Sequence, residues 1–126
     1  AAAAGDQLEM VRELLKRGAS VDLPSSLGLT ALMGAAGHGH LSVLLVLLQH
    51  SANPDLQGID DSTALLRATD EGEVACVKAL LRAKANTELL DNDGHTALQQ
   101  AEIKGHTAIA ELIRQHAAPP QPAAAA

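Results

Sequence analysis

An all-α solenoid, built of stacked helix-turn-helix units with short β-turn fingers between them, is the fold class this sequence predicts. Three observations predict it. Ala19, Ala52, Ala85 and Ala118 fall 33 residues apart, and so do Thr30, Thr63 and Thr96, each followed by Ala-Leu. The apolar phases between these anchors agree: Leu14, Leu47, Leu80 and Ile113 make one column, and Met10, Val43, Cys76 and Ile109 another. Glycine recurs at the joints, at Gly39, Gly72 and Gly105. A period of this length marks an architecture in which each unit buries its apolar face only against its neighbours.

The elements follow in chain order. Residues 1–24 read as a partial repeat that carries only a second helix, its first helix being reduced to alanines, with a one-residue slip at Gly5. A terminal repeat normally carries a polar outer face, so this bare start leads to the expectation of a longer array or a longer polypeptide. Full repeats span 25–57, 58–90 and 91–118. In each, the threonine stands just before an apolar helical stretch, where its hydroxyl can accept from the free N–H groups of the first turn. Thr96 with Gln99 also has capping-box spacing. Gly39, Gly72 and Gly105 sit where one helix stops and the next begins, a place that favours a left-handed residue. Asp61 replaces the turn glycine found at Gly28 and Gly94, and Asp is among the few residues that tolerate that conformation. In the last repeat Arg114 takes the column of Leu15, Leu48 and Leu81, and Gln99, Gln100 and Glu102 add polar groups, as a capping repeat requires. The segment 119–126, PPQPAAAA, cannot continue the pattern and reads as a Pro/Ala-rich tail or linker.

Written unit by unit, these segments resemble ankyrin repeats. The family's D-x-x-G-x-T-P-L-H turn, Ala-rich first helix, Gly-His link and V-x-x-L-L second helix ending in G-A are matched at most phases from residue 1 to about 118. The departures are consistent. Thr-Ala-Leu stands three times for Thr-Pro-Leu, and Met33, Leu66 and Gln99 replace the motif's histidine, which in the family makes a hydrogen bond between repeats. The resemblance implies a single domain over 1–118 whose task is to bind other proteins.

Composition narrows the class. The 126-residue chain has no Phe, Trp or Tyr, so packing between repeats rests on Leu, Val, Ile, Met and Ala, and no aromatic platform is available for stacking bases. A formal charge of -6 argues against nucleic acid, whose binding rests on clusters of Lys and Arg. The longest apolar run, LSVLLVLL at 41–48, is far short of the roughly 20 residues a membrane-spanning helix needs. No signal peptide is visible. One cysteine allows no internal disulfide, which fits the reducing cytoplasm or nucleus.

Candidate chemical sites dissolve into the period. Of six histidines, His40 and His106 share one phase and His50 and His116 another, while His38 lacks a cysteine or carboxylate at metal-ligand spacing. DNDG at 91–94 resembles the middle of a calcium loop, but Leu89 and Gln100 stand where that loop needs acids. Cys76 lies in a core column and reads as a buried small hydrophobe. The pairs Asp60/Asp61 and Asp70/Glu71 fall in turn and link phases, where charge is usually solvated. No catalytic triad or phosphate loop appears, so neither an enzyme, a cofactor nor a bound metal is expected.

What remains is surface. Residues shared between units build the stack, and those that vary at exposed phases are free to encode a partner. In ankyrin domains the variable turn tips and first helices line a concave groove. By resemblance, those positions are Ser26, Leu27, Leu29, Gly37 and His38 in the second repeat and Ile59, Asp60, Ser62, Arg67, Asp70 and Glu71 in the third. In the fourth they are Asn92, Asp93, His95, Ile103 and Lys104. The groove is expected to take a partner segment with an apolar anchor held by Leu27, Leu29 and Ile59, and with Lys or Arg beside it facing Asp60, Asp70, Glu71 and Asp93. Leu45 stands where other repeats carry Arg12, Lys78 and Glu111, so it should face water on the second helix. Two other readings of the same module remain: a regulatory or substrate-recruiting arm of a larger enzyme, docking a neighbouring domain of its own polypeptide, and a structural spacer in a longer array.

Overall fold

The structure, a computed structural model, describes residues 12–13, 15–16, 21–22, 28–58 and 60–117. Within them six helices are bounded: α1 (Ala31–His38), α2 (Leu41–Gln49), α3 (Ala64–Glu71), α4 (Val74–Arg82), α5 (Ala97–Lys104) and α6 (Thr107–Ala117). Each repeat contributes two, so the pairs are α1/α2, α3/α4 and α5/α6, with turns between pairs and no strand among the described residues. The first helices pack as one layer, α3 lying against both α1 and α5, and the second helices pack as another, α4 against α2 and α6.

The helices begin and end where their chemistry dictates. The hydroxyls of Thr30, Thr63 and Thr96 accept from the N–H groups of Met33, Leu66 and Gln99, and Gln99 closes the capping box by accepting from the Thr96 N–H at 2.9 Å. A cap of this kind is worth about 1 kcal/mol. Gly39 ends α1 at φ 72 and Gly72 ends α3 at φ 74, and the next repeat leans on each of them. A Cβ on Gly39 would run into the Glu73 carboxylate, and one on Gly72 would press on the His106 ring at 3.1 Å. Asp61 adopts φ 64, in the same region as Gly28 and Gly94. The second helices close with non-glycine residues in this region, Ser51 at φ 67 and Lys84 at φ 66.

The core is a row of aliphatic columns. Leu47, Leu80 and Ile113 are buried, as are Val43, Cys76 and Ile109, and the first helices meet through Ala35, Ala68 and Ala101. Alanine there lets helix backbones approach closely. Burial raises the Cys76 thiol above its ordinary value and the nearby Glu73 carboxylate adds to this, so the sulfur is held as an unreactive thiol. Leu45 is exposed on α2.

Columns that change burial along the chain show which face each repeat offers to the next. Leu81 is buried, whereas Arg114 at the same phase is open to solvent and pairs with Glu102 at 2.6 Å and Glu111 at 3.2 Å. Ala36 and Thr69 are fully buried, whereas Glu102 is exposed. The polar face expected of a capping repeat is therefore present at the end of the described stack, although Gln100 is not part of it. A second set of contacts ties the repeats through their loops. Asp22 accepts from the Asn53 N–H at 2.9 Å, and one period on Asp55 accepts from the Asn86 N–H at 2.7 Å. Gln57 Nε2 donates to both the Asp61 carbonyl and the Leu90 carbonyl.

Three substitutions test this account. The Thr69 hydroxyl is buried without a hydrogen-bond partner, so Thr69→Val removes an unsatisfied polar group and should raise stability by about 1 kcal/mol in urea unfolding. Glycine inside a helix is about 1 kcal/mol worse than alanine, and an ideal Cβ on Gly34 meets nothing within 4 Å. Gly34→Ala should therefore stabilise, while Gly39→Ala, at positive φ and against Glu73, should destabilise by at least about 1 kcal/mol.

Candidate groove across three repeats

The fingers are short turns held by their own backbone. The Gly58 N–H donates to the Ser62 carbonyl at 2.8 Å, and one period on the Asp91 N–H donates to the His95 carbonyl at 3.0 Å. Inside them, the Asp61 N–H reaches the Gly58 carbonyl and the Gly94 N–H reaches the Asp91 carbonyl, each at 3.0 Å. This closure fixes where the side chains of Asp60 and Asp93 stand relative to the first helices.

Between the fingers and the first helices lies a cavity of about 300 Å³ walled by three consecutive repeats. The second repeat supplies Leu29 from its finger, and Met33, Gly34, Gly37 and His38 from α1. The third supplies Asp60 and Ser62 from its finger, and Leu66, Arg67, Asp70 and Glu71 from α3. The fourth closes the wall with Asp91, Asn92 and Asp93 from its finger and Gln100 from α5. Five carboxylates thus face one guanidinium.

Two of those carboxylates are engaged within the protein. Asp60 pairs with Arg67 at 3.3 Å and accepts from the Ser62 N–H at 3.2 Å. Desolvation works against its ionisation, but the Ser62 hydrogen bonds and the Arg67 charge outweigh it and hold the carboxyl below its ordinary value. Asp70 pairs with Lys104 at 3.0 Å and accepts from Gln100 Nε2 at 2.7 Å. Desolvation opposes its ionised form too, and Lys104, Gln100 and the nearby His106 together pull it below the ordinary range. His106 Nε2 also lies 3.3 Å from the Asp70 carbonyl, a contact between repeats. Glu71, Asp91 and Asp93 carry no ion pair among the described residues. Arg67 Nε is buried without a hydrogen-bond partner.

Most of the residues expected at the groove are brought together there: Leu29, His38, Asp60, Ser62, Arg67, Asp70, Glu71, Asn92 and Asp93, with Gly37 beside them. Ser26, Leu27 and Ile59 lie outside the described residues. His95 and Lys104 stand off the cavity wall. The His95 N–H donates to the Asp91 carboxylate at 3.0 Å, and Lys104 acts through Asp70. Ile103 is 63% exposed and outside the wall.

Three expectations need correction. Asp70 and Glu71 belong to the last turn of α3 rather than to a link, and Asp70, like Asp60, spends its charge on a cation of this chain instead of awaiting one from a partner. Gln100, read as part of the polar cap, bonds Asp70 inside the groove. Sequence reasoning passed over Met33, Gly34, Leu66, Asp91 and Gln100. The signal for two of them was present, because Gly34 and Gln100 share the phase of Arg67.

The fourth finger also gathers Asp91, Asp93 and His95, whose ligand-type atoms lie within 4.8 Å of one another. Asp91 Oδ1 already accepts from the Asp93 N–H at 2.9 Å and from the His95 N–H, so this carboxylate serves the turn itself. His38 and His40 stack loosely, ring centroids 5.8 Å apart. Among the described residues no helix is long and apolar enough to cross a membrane.

A family model described as ankyrin repeats (3 copies) matches the chain over residues 1–58 and again over 51–122. Against curated proteins the chain returns no match.

The two engaged carboxylates set a pH dependence. Both have folded values below the unfolded carboxylate value of about 4. Their contribution is therefore complete above that value and is lost as pH falls through the depressed folded values. Asp70 is partly exposed, so Asp70→Asn should lower stability at pH 7 by less than about 1 kcal/mol. Urea titrations at pH 7 and pH 3 should show the gap to the parent narrowing at the lower pH. A gap that stays constant would mean that the charge of Asp70 is not its source.

Proposed function

Because this chain belongs to the ankyrin-repeat family, whose members in general bind other proteins, we propose that it is a non-catalytic interaction module. In this reading it grips an extended segment of a partner protein in the groove between its fingers and first helices. One observation carries the reading: one cavity is walled by three successive repeats, largely at positions that differ between units, while most of the apolar positions shared between units are buried in the stack. Variation at Gly34, Arg67 and Gln100, and at Gly37, Asp70 and Ile103, gives each repeat its own contribution along one surface.

The electrostatics select the partner. With carboxylates in excess, a basic segment is drawn to this face and an acidic one is repelled. The reading assigns the groove recognition and no bond chemistry. A module of this kind fits the cytoplasm or the nucleus, where a free buried thiol is stable.

Capture of lysate proteins on the immobilised parent chain, beside a Glu71→Arg/Asp93→Arg variant, tests the reading. Both side chains are exposed and outside any ion pair, so circular dichroism of the variant should remain native. The expected outcome is prey held by the parent and reduced at least tenfold on the variant by mass spectrometry. Equal retention on both natively folded proteins would remove the groove from the account.

A further inference from the structure

The groove has one feature that a generic recognition surface does not require. Gly34 and Gly37 both lie inside the eight-residue helix α1, where glycine weakens a helix. Among the described residues a packing reason is absent: a Cβ on Gly34 meets nothing within 4 Å, and one on Gly37 meets only Arg67 Cβ at 3.8 Å. At the same phases the following repeats carry Arg67 and Asp70, and then Gln100 and Ile103. What the two glycines provide is empty space in the cavity that Glu71 and Asp93 also line.

We propose that this space is a socket for one lysine or arginine side chain of the partner segment, admitted by the missing side chains at Gly34 and Gly37 and held by Glu71 and Asp93. The inference rests on the reading of the chain as a module that binds partner segments, and it sets a cationic contact beside the apolar anchor expected at Leu27, Leu29 and Ile59.

Three observations favour a cationic side chain in this cavity. Met33 and Leu66, under the cavity, are only 1% and 4% exposed, so among the described wall residues the accessible apolar surface comes chiefly from Leu29. The cations nearest the cavity are already committed, Arg67 to Asp60 and Lys104 to Asp70, which leaves Glu71, Asp91 and Asp93 in excess. A volume of about 300 Å³ lies at the small end of ligand sites and suits one long side chain. The methylene stem of a lysine or arginine can lie along the bare glycine stretch beside Leu29 while its head reaches the carboxylates. A cation placed there is bound chiefly by charge, so its affinity falls as salt rises.

The probes are N-acetyl-arginine methylamide, its lysine counterpart and N-acetyl-norleucine methylamide, which matches the stem without the charge. Each is titrated into the 15N-labelled protein and followed by amide chemical shifts at 50 mM and 500 mM salt. The two cationic probes should move the amides of Gly34, Gly37, Glu71 and Asp93, with at least fivefold weaker binding at the higher salt, and norleucine should not. Gly34→Leu, which fills the socket, and Glu71→Gln, which keeps its shape, should each weaken the arginine probe at least fivefold. Should one variant fail to fold, the other still decides. Equal response to norleucine, shifts spread to Glu102 and Glu111 on the capping face, or unchanged binding in a folded variant would overturn the socket. The two proposals fail separately. A partner lost on the Glu71→Arg/Asp93→Arg protein while the arginine probe does nothing rejects the socket alone, and a responsive socket with no partner rejects the module.

Discussion

The contact between α3 and its two neighbours is the one on which the rest of the structure depends. No repeat here has a core of its own. A pair of helices of eight and nine residues is too short to be stable in water by helix formation alone. Burial against the adjoining pair supplies what is missing, and only the third repeat has a described helix pair on both sides. Leu65, Ala68 and Thr69 are almost fully enclosed there, and the tight approach depends on alanine at 35, 68 and 101. Without aromatic side chains the stack has no large anchor at any one interface, so its stability is spread over many small aliphatic contacts.

The same contact makes the groove. Packing the first helices side by side places one face of each in register, and the fingers, closed by their own backbone bonds, project at the same interval. The wall of the cavity is then a consequence of the stack, and its chemistry is set by the residues the stack leaves free. Charges are divided between two tasks. Asp60 and Asp70 stitch Arg67 and Lys104 to the wall, while Glu71 and Asp93 remain outside ion pairs. The glycines of α1 line the same wall and leave room beside a helix that they weaken.

Nearly all of the fold could be read from the sequence because its determinants are local and recur. The threonine caps, the left-handed joints at Gly39 and Gly72 and the left-handed Asp61 each depend on a residue and its near neighbours, and a period repeats the signal until it is unambiguous. The groove was legible in outline for the same reason, since variable phases stand out against constant ones. What was not legible depends on contacts across repeats. Nothing about Asp70 alone shows that Lys104 and Gln100, from the next repeat, will engage it. The loop bonds from Asp22 and Asp55 to the following repeat's asparagine were likewise missed, although Asp22 and Asp55, like Asn53 and Asn86, stand one period apart. Ser51 and Lys84 in left-handed conformation were hidden because the family places glycine there and these residues do not announce the turn.

Native-state hydrogen exchange, measured residue by residue, tests the central claim most directly, because it reports how much of the stack must open to expose each amide. If the repeats stand only through their neighbours, the amides of α3 and α4 should be the slowest to exchange, with protection falling toward α1/α2 on one side and α5/α6 on the other. Slowest exchange in α5 and α6, with α3 opening first, would contradict the claim and would make the last repeat an independent unit with the groove resting on something other than the central contact.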